Sequence, residues 1–343
     1  MTDSKLFDVP AELGAPASWQ ERTPSKRLMI FSGRSNPDLA QRIADRLDVG
    51  LGQATLKTFA NGEIYARFEE SVRGADVFLV QSCVNPVNRN LMELMIMADA
   101  AMLGSAKRVT AVIPWYPYAR QDKKSAPREP ITARLVATLL RASGIDRVLT
   151  MDLHAGQVQG FFDGPVDHMT ALPMFARHFR DMGLSGEGTV VVSGDAGRAK
   201  LATRFAEMLD ADVAIIAKLR PEHGKARVAA IIGDVAGKKA IISDDIIDTA
   251  GTLCAGAEAV KNAGATEVYA CATHAIMSDP ALDRIRESVL HEVVVCDTVP
   301  IDPRAPDSRV RVLPVDGILA QTIDEVFREG SVSNLFGGEN QLF

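Results

Sequence analysis

Short runs of β-branched and other apolar residues alternate almost without break with amphipathic helical stretches, and this alternation constrains the fold most. The runs read as strands at Leu28–Ser32, Ala75–Val80, Arg108–Ile113 and Arg147–Asp152. A second series follows at Thr189–Ser193, Asp212–Lys218, Lys239–Asp245, Glu267–Thr273 and Val293–Asp297. Several are apolar along their whole length, as strands are when helices cover both faces of a parallel sheet. Between them, Leu91, Leu94, Met95 and Met102 recur at helical spacing within Asn90–Leu103 and read as a core-facing stripe. Gly197–Leu209 and Thr252–Ala263 read similarly. The expectation is an α/β fold of two units, each a mainly parallel sheet flanked by helices, meeting near residue 170 where Pro173 interrupts the pattern. At 343 residues, 47% of them hydrophobic, the chain can hold such a fold without disulfide or metal staples.

The sharpest chemical signal is Ile242-Ser243-Asp244-Asp245-Ile246-Ile247-Asp248-Thr249-Ala250-Gly251-Thr252. An apolar strand ends in two acids, and a small-residue loop then opens a helix. Such a loop can turn its N–H groups inward and hold an anion at the helix N-terminus, while adjacent carboxylates suit vicinal hydroxyls. A bare Asp-x-x-Gly would read as a helix cap, with Asp248 or Thr249 in that role. Three acids with Thr249, Gly251 and Thr252 read instead as a sugar-phosphate site, placed where open α/β sheets bind ligands.

A second segment, Pro114-Trp115-Tyr116-Pro117-Tyr118-Ala119-Arg120-Gln121-Asp122-Lys123-Lys124, also follows a strand directly. Its aromatics can stack on a base while Arg120, Lys123 and Lys124 meet phosphate charge. Taken only as a basic cluster it would be a solvated loop.

Both segments carry a family resemblance. The acidic loop resembles the phosphoribosyl-diphosphate loop of the phosphoribosyltransferase-like fold, which leaves makers and users of the activated sugar open. Tyr118-Ala119-Arg120-Gln121-Asp122-Lys123-Lys124 resembles the signature of ribose-phosphate pyrophosphokinases. Further likenesses to that family follow in its order, at Phe59-Ala60-Asn61-Gly62-Glu63, Arg128-Glu129-Pro130-Ile131 and Asp152-Leu153-His154. The series continues with Ser193-Gly194-Asp195-Ala196-Gly197-Arg198, Lys218-Leu219-Arg220 and Ser331-Val332-Ser333-Asn334-Leu335-Phe336.

The resemblance implies two phosphoribosyltransferase-like domains, 27–169 on the ATP side and 170–328 on the ribose 5-phosphate side. Residues 1–26 would be a poorly ordered extension, and 329–343 a tail packed on the first domain. It implies ATP at Phe59, Asn61, Gly62, Glu63, Arg120, Gln121 and Asp122. Ribose 5-phosphate would lie at Asp244, Asp245, Asp248, Thr249, Ala250, Gly251, Thr252 and Arg220. Lys218 and Arg220 would be catalytic, closing from a mobile loop whose tail is Pro221–Lys225. The implied reaction moves the β,γ-diphosphate of ATP to the C1 hydroxyl of ribose 5-phosphate with Mg²⁺, feeding nucleotide, His and Trp biosynthesis. The metal would sit on His154 and Asp195, with Asp152, Asp163 and Asp167 as further candidates. A homohexamer built as a trimer of dimers, ADP and phosphate as effectors, and a cytoplasmic location are implied as well. The rival readings are a phosphoribosyltransferase and a non-catalytic regulatory homologue. Four positions depart from the family pattern: Arg34, Asn61, Gly194 and Arg198.

Other features narrow the choice. Thirty-eight Lys and Arg against 44 Asp and Glu, a net charge of −6, argue against nucleic acid as the main partner. Cys83, Cys254, Cys271 and Cys296 are scattered and read as buried free thiols, and Cys271-x-x-His274 lacks the second pair of a zinc site. No apolar run approaches the ~20 residues of a membrane span. Gly233–Lys239 has the wrong glycine spacing for a P-loop.

Overall fold

The computed structural model describes residues 26–222 and 225–336; the side chains of residues 218–222, 225–229, 334 and 336 also lie outside that description. In the first unit the elements run β1 (Leu28–Ser32), α1 (Pro37–Arg46), β2 (Ala54–Thr58), β3 (Ile64–Phe68), β4 (Asp76–Val80) and α2 (Val87–Leu103). Then come β5 (Arg108–Ile113), α3 (Thr132–Ala142), β6 (Arg147–Met151) and β7 (Val166–Met169). The second unit begins with α4 (Leu172–Asp181), β8 (Thr189–Ser193), α5 (Ala199–Leu209), β9 (Asp212–Glu222), β10 (Lys225–Ile232) and β11 (Lys239–Ile247). It ends with α6 (Gly251–Asn262), β12 (Glu267–Ala275), α7 (Ala281–Glu287), β13 (Val293–Cys296), β14 (Val310–Leu313) and α8 (Asp316–Arg328).

The first sheet has the order β1-β4-β5-β6-β7 and is parallel throughout. The second has the order β10-β9-β8-β11-β12-β13-β14, parallel except for the antiparallel β9–β10 edge. β4, β8 and β13 are buried at every position, the result of helices on both faces. Helices bury one stripe each: α1 inserts Leu39, Ala40, Ile43 and Ala44, starts with Pro37, and carries Asp38 in its first turn and Arg46 in its last.

A single apolar core joins the two sheets. Ile30, Phe78, Val112 and Leu149 of the first sheet and Val191, Ile241, Cys271 and Val294 of the second belong to one cluster. Phe175 and Phe179 of α4, Phe205 of α5 and Leu319 and Ile323 of α8 fill the space between them. Each buried Phe contributes roughly 1.5–3 kcal/mol, so this layer fixes how the sheets sit against each other. Lys26 pairs with Glu329 at 2.7 Å, and Val332 enters the shared core, which holds the chain after α8 against the first unit.

The structure adds strands that sequence patterning did not reveal. β2 and β3 form a hairpin packed on α2, with Lys57, Thr58 and Arg67 diluting its alternation. β7 and β14 are four-residue strands, too short for a clear period. β9 runs past the expected end at Lys218 to Glu222 and pairs with β10, so Arg220 and Pro221 stand on a strand instead of the expected loop. An edge hairpin needs no continuous apolar run, which is why this polar segment read as a loop. The side chains of Lys218 and Arg220 lie outside the described residues. In α2 the buried apolar positions are Leu91, Leu94, Met97, Ala98 and Ala101; Met102, expected in the core, is exposed.

Candidate active site

In the second sheet the chain order reverses between β8 and β11: β8 leads to β9 on one side, and β11 to β12 on the other. A crevice beyond the C-terminal ends of strands at such a reversal is the usual ligand site of open α/β sheets. β8 stops at Ser193 opposite Ser243, while β11 continues beside β12 through Ile247. Asp244 and Asp245 therefore lie within the strand, not at its end as expected. Beyond it, Ala250 adopts a left-handed φ of 58°, and α6 begins at Gly251. This sharp, strained entry sets the loop 248–252 against the positive end of the helix dipole. Arg284 pins the loop by donating to the Thr249 carbonyl at 2.8 Å.

The first unit reaches this crevice from the end of β6. His154 Nδ1 donates to Asp245 Oδ2 at 2.7 Å. Asp152 Oδ2 accepts from Thr273 Oγ1 at 2.6 Å and from the Ala171 amide at 2.8 Å, tying the two sheets together. Arg198, at the start of α5, places Nη1 2.7 Å from Asp245 Oδ1 and 3.5 Å from Asp244 Oδ1. The acids respond in opposite directions. Burial alone would raise the pKa of Asp245, but the His154 hydrogen bond and the Arg198 charge outweigh it and hold the carboxyl below the usual range. Burial and then the charge of Asp245 push Asp244 up, against the pull of Arg198.

A larger cavity, about 910 Å³, opens between the N-terminus of α2 and the segment after β5. Arg89, Trp115, Tyr118, Arg120 and Gln121 are among its lining residues. Its size suits a nucleotide, and it joins the crevice through one ion pair: Arg120 Nη1 lies 3.2 Å from Asp248 Oδ2. Asp122 is turned away, buried and bonded to Gln157. Phe59, Asn61, Gly62 and Glu63 form the exposed tip of the β2–β3 hairpin, and none of them lines the cavity.

Comparison with known proteins identifies the family. Residues 28–144 match the family model described as the N-terminal domain of ribose phosphate pyrophosphokinase, and residues 220–337 match the phosphoribosyl synthetase-associated domain. A ribose-phosphate pyrophosphokinase of Fusobacterium nucleatum is 52% identical over 307 residues, 90% of this chain and 97% of the relative. The chain belongs to the ribose-phosphate pyrophosphokinase family. Another such pyrophosphokinase, from Corynebacterium efficiens, is 48% identical over 94% of this chain and 99% of its own. The crystal structure of phosphoribosylpyrophosphate synthetase from Mycobacterium smegmatis superposes with a TM-score of 0.82 at 46% identity, covering 89% of this chain and all of that one.

Within this ribose-phosphate pyrophosphokinase framework the metal candidates separate. His154, with Nδ1 committed to Asp245, presents Nε2 as an acceptor, the tautomer a metal-binding His requires. Asp195 stands at the end of β8, where one oxygen accepts from the Arg198 amide at 3.2 Å and the other remains for a ligand. Among the described residues no group of three or more His, Cys, Asp or Glu converges. An imidazole nitrogen and a carboxylate oxygen are a small donor set, of the kind Mg²⁺ supplements with substrate and water oxygens. Asp152 is occupied in joining the sheets. Asp167 pairs with Arg147 at 2.6 Å, toward the opposite end of β6, and Asp163 is exposed with no part in the crevice. Sequence reasoning missed Arg89 as a cavity residue and the contact of Arg198 with the acid pair; the only hint of the latter was its departure from the motif.

Proposed function

We propose that the chain transfers the β,γ-diphosphate of ATP to the C1 hydroxyl of ribose 5-phosphate, releasing AMP and 5-phosphoribosyl 1-diphosphate. The observation that carries this reading is the Arg120–Asp248 pair, which brings the nucleotide-sized cavity and the sugar-phosphate loop together across 128 residues of sequence. Asp244 and Asp245 accept the 2- and 3-hydroxyls, and the amides of Asp248, Thr249, Ala250, Gly251 and Thr252 take the 5-phosphate. Arg120 and Gln121 hold ATP in the cavity, and Phe59, Asn61, Gly62 and Glu63 add contacts from the hairpin tip. The anomeric oxygen attacks the β-phosphorus in line, and the bond to the α,β-bridging oxygen breaks. AMP leaves with that oxygen, and the hydroxyl proton passes to solvent. Lys218 and Arg220, on β9, meet the charge of the transferring group. Their work is positioning and charge stabilisation, as for phosphoryl transfer generally.

His154 and Asp195 would hold Mg²⁺, whose charge neutralises the diphosphate oxygens. Family membership supports a place in nucleotide biosynthesis, and we extend it to a homohexamer with ADP and phosphate as effectors and to a cytoplasmic location. Among the described residues no helix is long and apolar enough to cross a membrane. The test is formation of AMP from ATP that depends on ribose 5-phosphate. A chain that makes no AMP under those conditions, but forms or consumes the activated sugar with a free base, would be a phosphoribosyltransferase instead.

A further inference from the structure

Asp245 is assigned above to a sugar hydroxyl, yet nothing can reach it in this structure. Its side chain is 1% exposed. One carboxylate oxygen takes the aligned hydrogen bond of His154, and the other faces Arg198. That second contact is close but misaligned: at 2.7 Å from Arg198 Nη1, Asp245 Oδ1 still has no hydrogen-bond partner. The same nitrogen is stretched to 3.5 Å from Asp244 Oδ1. One nitrogen thus serves two carboxylates, leaving Asp245 Oδ1 without an aligned donor and reaching Asp244 Oδ1 only at 3.5 Å. Among the described residues the guanidinium has no other polar partner. The cleft it shares with Asp152, Ser243, Asp244, Asp245 and Thr273 keeps only about 20 Å³ open, room for one water and not for a pentose.

Of the two groups on Asp245, Arg198 is the one placed to leave. His154 makes a directed bond, whereas Arg198 offers charge at a poor angle from a long, flexible side chain. A sugar hydroxyl would give Oδ1 the aligned O–H donor it lacks. From this geometry, and resting on the ribose 5-phosphate reading above, we infer that Arg198 is the resident counter-ion of the Asp244–Asp245 pair, which the sugar must displace. Arg198 thereby sets the affinity of the site: it holds two adjacent carboxylates together when the site is empty and opposes the sugar that needs them. Its effect falls on binding and not on the chemical step, because the guanidinium is gone before transfer occurs.

The test uses the full-length chain with Arg198→Gly and Arg198→Gln, measuring AMP formation against ribose 5-phosphate and ATP, and calorimetric binding of ribose 5-phosphate without ATP. Displacing a charged contact in this buried site lowers affinity by about tenfold. Both variants should therefore bind ribose 5-phosphate about tenfold more tightly, with KM lowered to match and kcat and the KM for ATP within twofold of the parent. A purely structural role would not produce this split. A KM for the sugar that stays the same or rises in the folded variants overturns the inference; a thermal melt identifies folded protein, and the near-isosteric Gln decides if Gly does not fold. Asp245→Asn separates the two levels. If it leaves ribose 5-phosphate affinity intact, the acid pair is not the sugar site and the underlying reading fails. If it weakens binding while the Arg198 variants do not tighten it, only the counter-ion role is lost.

Discussion

Asp245→Asn changes one atom type at the point where both units meet, and its cost can be worked from the contacts. The parent carboxylate takes the His154 Nδ1 proton at 2.7 Å and stands 2.7 Å from Arg198. An asparagine carries no charge, so the sugar hydroxyl it receives forfeits a charge-assisted bond, about 1.5–3 kcal/mol. If its NH₂ group faces His154, the imidazole must move its proton to Nε2 and can no longer hold a cation there. Keeping the amide oxygen toward His154 avoids this but turns NH₂ to the sugar hydroxyl, which then loses its acceptor, a cost of similar size in a buried site. Either way the sum is about 3–6 kcal/mol. At about 1.4 kcal/mol per decade, kcat/KM for ribose 5-phosphate should fall by roughly 10²–10⁴. The assay is AMP release under varied ribose 5-phosphate, with a thermal melt to show that the variant is folded. Activity within fivefold of the parent in a folded variant would refute the assignment of Asp245 as sugar ligand and anchor of His154.

Other outcomes follow from the same geometry. Lys218→Ala should cut kcat by about 10³, the loss expected for one preorganised charge contact; most of the activity surviving would remove Lys218 from the transfer step. Arg120→Ala should raise the KM for ATP by about tenfold or more through loss of one charged contact, and an unchanged KM would place the nucleotide outside the 910 Å³ cavity. The fold should be acid-labile. Burial lowers the pKa of His168 to about 4 and also lowers that of His274, so the folded state binds these protons less readily than the unfolded chain. Stability is therefore full above the unfolded pKa of about 6.5 and declines as pH falls from there to about 4, for His168 by on the order of 3 kcal/mol. Melting midpoints at pH 7.5, 6 and 5 check this, and a flat profile would contradict it.

Much was legible in the letters because it is local. The apolar runs of β1, β5 and β8 gave their bounds directly, since a strand covered on both faces has no polar position to blur its edges. The acidic loop and the Arg120 segment were legible for a related reason, as each packs its chemistry into consecutive residues. The β2–β3 and β9–β10 hairpins were not, because a half-solvated edge admits Lys, Arg and Thr as readily as Val.

What only the tertiary structure decided is which of these pieces meet. Asp245 finds His154 across 91 residues and Arg120 finds Asp248 across 128, distances over which no periodicity carries information. Sheet order and the shared Phe layer bring the strand ends together. Asp167, close in sequence to His154, is held by Arg147 on the far side, while Arg198, outside every predicted ligand set, lies against both acids. Composition and spacing could name the chemistry, but the direction in which each strand delivers its side chains depends on packing between units that the sequence reads separately.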